Sequence, residues 1–188
     1  LINYLSGTDH WITGLIVLLA TLTYTLYGGL RASIFTDNIQ MIVIGFLLLI
    51  LILIISSSTG DNFSFAFIKE KNPQLLSSSY IPSYTAGLTF FIAVAATNLF
   101  HQGNWQRVYA AKNYNTLKSA LIISFFVIVP IVFLMGFIGM VSFSIDPSAR
   151  ADLGFFTLLL KEQTEMLSLI IVILGLALTI STVDTLVN

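Results

Sequence analysis

The residues best suited to ligand chemistry lie in the last apolar segment of the chain. Ser181, Thr182, Asp184 and Thr185 follow a run of Leu, Ile, Val, Ala and Gly. A charged side chain at the centre of a membrane-spanning helix costs about 2.5–3.5 kcal/mol on insertion scales, so we expect it to line a cavity or to bind a ligand. Carboxylate and hydroxyl oxygens are hard ligands, which suit Na⁺ or a proton rather than a transition metal.

These side chains share one side of a predicted helix. Residues three and four positions apart are neighbours on a helix surface, which places Leu178, Ser181, Asp184 and Thr185 in one row with Thr182 beside it. A structural alternative stays open at this point. The hydroxyls would then bond to backbone carbonyls one turn back, and Asp184 would reach a nearby membrane interface.

A second acid, Asp37, precedes another apolar segment. With Gln40 three residues later it is close to a capping box, which predicts that a helix begins at Asp37. The functional alternative is that Asp37 faces other helices. Asp184 lies about 28 Å along a helix that begins at Glu165, which gives the two acids a similar predicted depth. We therefore expect the carboxylates of Asp37 and Asp184 to lie near each other.

The composition is that of a membrane protein. Hydrophobic residues make up 56% of the 188 residues and charged residues only 9%, whereas soluble domains are usually about 25% charged. The net charge is −1 and there is no Cys. Nothing therefore points to a nucleic-acid partner, a thiolate metal site or a Cys nucleophile. No nucleophile–base pair is visible in the sequence, so we do not expect an enzyme.

The hydrophobic pattern predicts five membrane-spanning helices. A hydrocarbon core of about 30 Å requires about 20 apolar residues in a helix. The predicted spans are about Trp11–Leu30, Asn38–Ile55, Tyr84–Phe100, Leu117–Val141 and Glu165–Val187. The two sides carry equal numbers of Lys and Arg, but these residues are denser in the short connections 27–37 and 101–116. We therefore place those connections in the cytoplasm.

A polar run from Thr97 to Asn104 interrupts the third predicted span. A broken helix at membrane depth is one way in which transporters expose backbone groups to a solute. The alternative is that the helix simply ends there and the polar run is a loop.

Three segments together resemble the sodium:solute symporter family. Residues 24–40 resemble its Tyr-Thr…Gly-Gly-Leu-x-Ala…Thr-Asp-x-x-Gln signature, residues 104–113 its Gln-Arg…Ala-Ala-Lys segment, and residues 181–185 its Ser-Thr-x-Asp-Ser stretch. The resemblance implies an all-α integral membrane protein with a leucine-transporter-like inverted-repeat fold. The chain would be a single transmembrane fragment, core helices four to eight, of a larger symporter.

The resemblance also implies where ions would bind. Half of the family's sodium site would fall on the Leu178 carbonyl and the Ser181 and Thr182 hydroxyls, and the first core helix, outside this chain, would supply the other half. Some members have a second cation site, which would use Asp37 with Ser181, Asp184 and Thr185. Two acids around one ion would be unusually anionic, so Asp184 would alternatively serve gating or proton coupling.

Solute contacts implied by the resemblance fall on Thr97, Asn98 and His101. The neighbouring Gln-Gly-Asn-Trp-Gln-Arg run is closer to members that handle small polar solutes such as urea or amino acids. We therefore expect part of a multi-pass symporter of the plasma membrane, coupled to Na⁺ and carrying a small polar organic solute. A proton-coupled symporter, and a channel or sensor domain of the same fold, are the alternatives.

Overall fold

The computed structural model describes residues 3, 7–148, 153–159 and 164–187. Throughout these ranges the regular structure is helical, which confirms the predicted all-α class. The helices are α1 His10–Thr59, α2 Phe65–Lys71, α3 Ile81–Phe100, α4 Gln102–Tyr109, α5 Tyr114–Ile145, α6 Gly154–Leu159 and α7 Glu165–Val187. Short 3-10 turns lie at Gly60–Asn62 and Pro73–Leu76.

Four of the described helices, namely α1, α3, α5 and α7, are long and apolar enough to cross a membrane. Their large apolar side chains are mostly exposed, and no residue of α3 is buried. Such surfaces are expected where a helix faces lipid chains or neighbouring apolar helices rather than water. The chain is therefore a multi-pass integral membrane protein. The five individual spans, with their bounds and sidedness, stay predictions.

Helix α1 changes direction at Gly29. Its 50 residues would form a rod of about 75 Å, far longer than a hydrocarbon core of about 30 Å. Gly29 has φ 54° and ψ −152°, a non-helical conformation that is essentially restricted to glycine. We call residues 10–28 the first arm of α1 and residues 30–59 its second arm.

The break at Gly29 corrects two details of the sequence prediction. The connection predicted at 27–37 is helical on both sides of Gly29 rather than a loop. The prediction that Asp37 caps a helix N-terminus is wrong, because Asp37 lies within the second arm, whose amides upstream of it are already helical. The physical reason is that glycine, rather than a capping side chain, ends the first arm.

The chain forms two compact units, which we describe separately. The first comprises residues 1–58 and 159–188, and so contains nearly all of α1 together with α7. Its fully buried apolar side chains come from the far part of the second arm and from α7. They include Leu51, Ile55, Ile171 and Leu174. Every residue predicted to bind a cation belongs to this unit.

The second unit, residues 59–158, contains the residues predicted to contact solute. Here α2 packs on α5, where the rings of Phe63 and Phe65 lie 5.0 and 4.7 Å from that of Phe137 between centroids. The Asn72 amide donates to the Ser144 hydroxyl over 3.3 Å. These contacts fix the short helix against the end of α5.

We expect that Gly29→Ala destabilises the protein by about 1–3 kcal/mol, because a Cβ at Gly29 would sit on a backbone conformation that L-residues avoid. No atom lies within 4 Å of that Cβ position, so the loss would come from the backbone rather than from a collision. The measurement is the thermal unfolding temperature of the protein of natural length in detergent.

Gly45→Ala is the matched control for this prediction. Gly45 is helical, lies in the second arm and also has open space at its Cβ position. Ala favours a helix over Gly by about 1 kcal/mol, so this variant should be as stable as the parent or more stable. Equal stability of the two variants would contradict the assignment of Gly29 as the break.

Candidate functional site

The Asp184 carboxylate is completely buried and is bonded to both arms of α1. Its side chain has 0% exposure. Thr25 Oγ1 donates to Oδ1 over 3.1 Å, and Ser33 Oγ donates to Oδ2 over 2.5 Å. Hydrogen bonds to a charged group contribute about 1.5–3 kcal/mol each, so these two bonds offset part of the cost of burying the acid. Both donors are themselves buried.

The Tyr24 hydroxyl adds a further oxygen to this cluster. It lies close enough to Asp184, Thr21 and Thr36 to interact electrostatically with them. The oxygen is buried, yet it forms no hydrogen bond of good geometry within the described part of the chain. The Tyr24 hydroxyl therefore belongs to the polar cluster around Asp184.

The second acid, Asp37, lies in α1 and contacts α7 at Ser181, about one turn before Asp184. Ser181 Oγ donates to Asp37 Oδ1 over a long 3.4 Å, and both residues are partly buried. Ser181 and Asp184 are three positions apart and therefore lie on one side of α7. Asp37 thus contacts α7 one turn away from Asp184, which agrees with the prediction that the two acids lie at a similar depth. Asp37 accepts from Ser181, whereas Asp184 accepts from Thr25 and Ser33.

The other predicted sodium ligands bond within α7. Thr182 Oγ1 donates to the Leu178 carbonyl over 2.9 Å, and Thr185 Oγ1 to the Ser181 carbonyl over 3.0 Å. Leu178 and Thr182 are exposed, while Thr185 is partly buried. The structure therefore brings Ser181 and Asp184 of α7 against α1, where Asp37 lies, and leaves Leu178 and Thr182 on an open side of α7. A cation there would compete with the one-turn hydroxyl bonds.

Three residues of the cluster around Asp184, namely Tyr24, Thr25 and Ser33, were not predicted from the sequence. The spacing of two of them could have indicated their role, because Thr25 and Ser33 lie four residues before and four residues after Gly29. Hydroxyls placed evenly around a glycine break can converge on one acceptor only if the helix turns there. That turn is a tertiary feature, which hydropathy does not report.

The predicted solute residues lie at an abrupt helix break in the second unit. Helix α3 ends at Phe100, His101 is extended with φ −83° and ψ 112°, and α4 begins at Gln102. A second helix thus follows the first after one residue, rather than a loop. That this break lies at membrane depth stays a prediction. Thr97 and Asn98 are exposed and bond to carbonyls one turn back, 2.7 and 2.8 Å away.

Side chains of α4 stabilise this break by bonding to the end of α3. The Asn104 amide donates to the Asn98 backbone carbonyl over 3.3 Å and to Asn98 Oδ1 over 2.8 Å. The Trp105 indole N–H donates to the Leu99 carbonyl over 2.7 Å. The last carbonyls of a helix lack intrahelical donors, so these side chains replace the missing bonds. His101 Nδ1 is buried at the break and has no hydrogen-bond partner among the described residues.

The fold and these sites define a multi-pass integral membrane protein with hydroxyl groups clustered around a buried carboxylate. The chain belongs to the sodium:solute symporter family, whose sequence model matches residues 1–188. This result confirms the family resemblance and the expectation of a membrane protein of that fold.

One relative among curated proteins is the spermidine transporter DUR31 of Candida albicans. It is 27% identical to this chain, in an alignment that covers 98% of this chain and 35% of the relative. The chain therefore spans about a third of the length of this relative. No solved structure gives a significant match.

We expect that Asn104→Ala loosens the break between α3 and α4, because it removes the donor to Asn98. Loss of this exposed bond would cost about 0.5–1.5 kcal/mol. The measurement is amide hydrogen exchange, in which peptides covering residues 98–106 should exchange faster.

Gln102→Ala is the control for this prediction, since Gln102 is an exposed neighbour in the same helix. Its exchange pattern should match that of the parent. Unchanged exchange in Asn104→Ala would remove Asn104 from the stabilisation of the break.

Proposed function

We propose that this chain is part of a sodium-coupled secondary active transporter that carries a small polar organic solute across the plasma membrane. The observation that carries the proposal is the buried cluster in which Asp184 and Asp37 meet hydroxyls of α1 and α7. Membership of the sodium:solute symporter family supports the coupling ion. The name of the Candida albicans relative supports the transport of an organic solute.

The cation in this proposal is bound by oxygens alone. Among the described residues no group of three or more His, Cys, Asp or Glu is placed to hold a metal, whereas hydroxyl groups bond to the carboxylate oxygens of Asp184 and Asp37. Ser181 and Thr182, with the Leu178 carbonyl, would supply half of one sodium site. Asp37, Asp184 and Thr185 would supply a second cation site on the next turn.

The solute is proposed to bind at the break between α3 and α4. Thr97, Asn98 and His101 lie within five residues of each other, and their polar groups include the buried Nδ1 of His101. A histidine nitrogen without a partner can donate to or accept from a polar solute, depending on its tautomer. We propose a small nitrogen-containing solute, and spermidine, urea and an amino acid are the first compounds to compare.

The role of sodium is differential binding between conformations. An ion that binds the outward-open, solute-competent state more tightly raises the affinity for solute by the same coupling free energy with which solute raises the affinity for the ion. Inward flow of Na⁺ would then drive accumulation of the solute. A channel cannot do this, because it only equilibrates its permeant species.

The test of this function is uptake by proteoliposomes that contain the protein of natural length. An inward Na⁺ gradient should raise the internal solute above the external concentration, and a sodium ionophore should abolish the excess. Equilibration without accumulation would show a channel instead, and absence of uptake for every compound would favour a sensor domain.

Proton coupling is the second candidate, favoured by the complete burial of the Asp184 carboxylate. A proton neutralises a buried acid without a coordination shell, so it suits a site as enclosed as this one. In the same vesicles, accumulation driven by a pH gradient in the absence of Na⁺ would establish this candidate and would contradict sodium coupling.

We expect that Ser181→Ala combined with Thr182→Ala raises the Na⁺ concentration for half-maximal uptake at least tenfold. Loss of two ligand oxygens weakens ion binding, and about 1.4 kcal/mol corresponds to each factor of ten. The measurement is initial uptake as a function of external Na⁺ at fixed solute.

Thr179→Val is the matched control. Thr179 is exposed on the same helix, and its hydroxyl bonds to the Gly175 carbonyl over 2.7 Å. This variant should keep the sodium dependence of the parent. An unchanged half-maximal concentration in the double variant would remove Ser181 and Thr182 from the site.

A further inference from the structure

The two hydroxyls that bond to Asp184 come from opposite arms of α1. Thr25 belongs to the first arm and Ser33 to the second, and each lies four residues from Gly29. In a straight helix, residues eight positions apart are separated by about 12 Å along the axis. Here they bond to the two oxygens of one carboxylate, at 3.1 and 2.5 Å. The carboxylate therefore bridges the break.

Gly29 makes no side-chain contact of its own at the break. Outside the adjoining backbone, no atom lies within 4 Å of the position that its Cβ would take. At the neighbouring Gly28 a Cβ would collide with that of Ala32, so Ala32 packs closely on the glycine backbone. A glycine backbone visits many conformations at low cost, so contacts made by the flanking residues must select the observed bend. The Thr25 and Ser33 hydroxyl bonds are contacts of this kind.

We propose that Thr25 and Ser33 are positioning residues for the Asp184 carboxylate, and that this carboxylate transmits Na⁺ occupancy at the end of α7 to the bend at Gly29. The inference rests on the proposed function only in taking Na⁺ as the ion that reaches the cluster. Thr25, Ser33 and Gly29 lie outside every set of ligands assigned above.

The physical basis is competition for the same oxygens. An ionised carboxylate accepts a hydrogen bond at each oxygen. When Na⁺ binds at the carboxylate, the hydroxyls turn their lone pairs toward the ion, and the two bonds that fix the arms are replaced by ion–oxygen contacts of different length and direction. The buried Tyr24 hydroxyl lies beside them and can take part. The angle between the two arms therefore changes when contacts to Na⁺ replace the hydroxyl bonds to the Asp184 carboxylate.

The test is a distance between the two arms measured with and without Na⁺. Ile16 and Ile42 are exposed at 62% and 68%, and each lies thirteen residues from Gly29. The chain contains no Cys, so Cys introduced at these two positions can carry spin labels in a protein of natural length that holds no other Cys. Double electron–electron resonance then reports the distribution of distances in NaCl and in an equal concentration of choline chloride.

In the parent we expect the mean distance to shift when Na⁺ replaces choline. Asp184→Asn should abolish the shift, because an amide presents one acceptor and one donor in place of two acceptors. The double variant Thr25→Val with Ser33→Ala should abolish it as well. The conservative variants Thr25→Ser and Ser33→Thr keep the hydroxyls, so they should retain it, which separates positioning from a loss of folding.

Ser57→Ala is the control on the second arm, since its hydroxyl is exposed and bonds to the Ile54 carbonyl of its own helix. It should respond to Na⁺ like the parent. A parent distance that ignores Na⁺, or a sodium shift that survives both Asp184→Asn and the double variant, overturns the proposal. The uptake assay is independent, because a sodium-dependent distance without sodium-driven uptake would refute the proposed function and leave the positioning role intact.

Discussion

The burial of a single acid in an apolar helix is the constraint on which the first unit depends. Asp184 has no exposure, and it lies near the end of α7, a helix that is mainly aliphatic before its closing hydroxyl residues. A carboxylate cannot be moved from water into such a place unless other groups replace its hydration. Thr25 and Ser33 provide that replacement, and they can reach the acid only because α1 turns at Gly29. One electrostatic requirement thus links three segments that are distant in sequence.

Thr25 and Ser33 meet the Asp184 carboxylate with hydroxyl groups. Hydroxyls are neutral and can either donate a proton to the carboxylate or offer a lone pair to a cation. The described bonds from Thr25, Ser33 and Ser181 are all of this reversible kind. Under the proposed function, these hydroxyls would exchange their bonds to the carboxylates for contacts with an ion.

Much of this architecture could be predicted from the sequence, because a helix that crosses a membrane must be apolar and hydropathy detects such segments. The bounds of α7 match the predicted span, and α3 and α5 begin three residues earlier than predicted. The acid in α7 and the break after Phe100 also follow from polar residues in apolar surroundings. The hydrogen-bond partners of Asp184 could not be predicted from the sequence, since they depend on how α1 bends. The capping pattern at Asp37 indicated the wrong residue for the break in α1.

The breaks at Gly29 and His101 differ in what redirects the chain. A capping motif lowers the cost of ending a helix, but glycine at positive φ removes the steric cost of redirecting the chain, and in α1 the second effect decides. At His101 the opposite holds, since no glycine occupies the turning residue and the side chains of Asn104 and Trp105 bond to the end of α3 instead. The first break is bridged by a carboxylate, whereas the second is held by hydrogen bonds from neutral side chains. Under the proposal above, the bend at Gly29 is therefore the break whose geometry would respond to an ion.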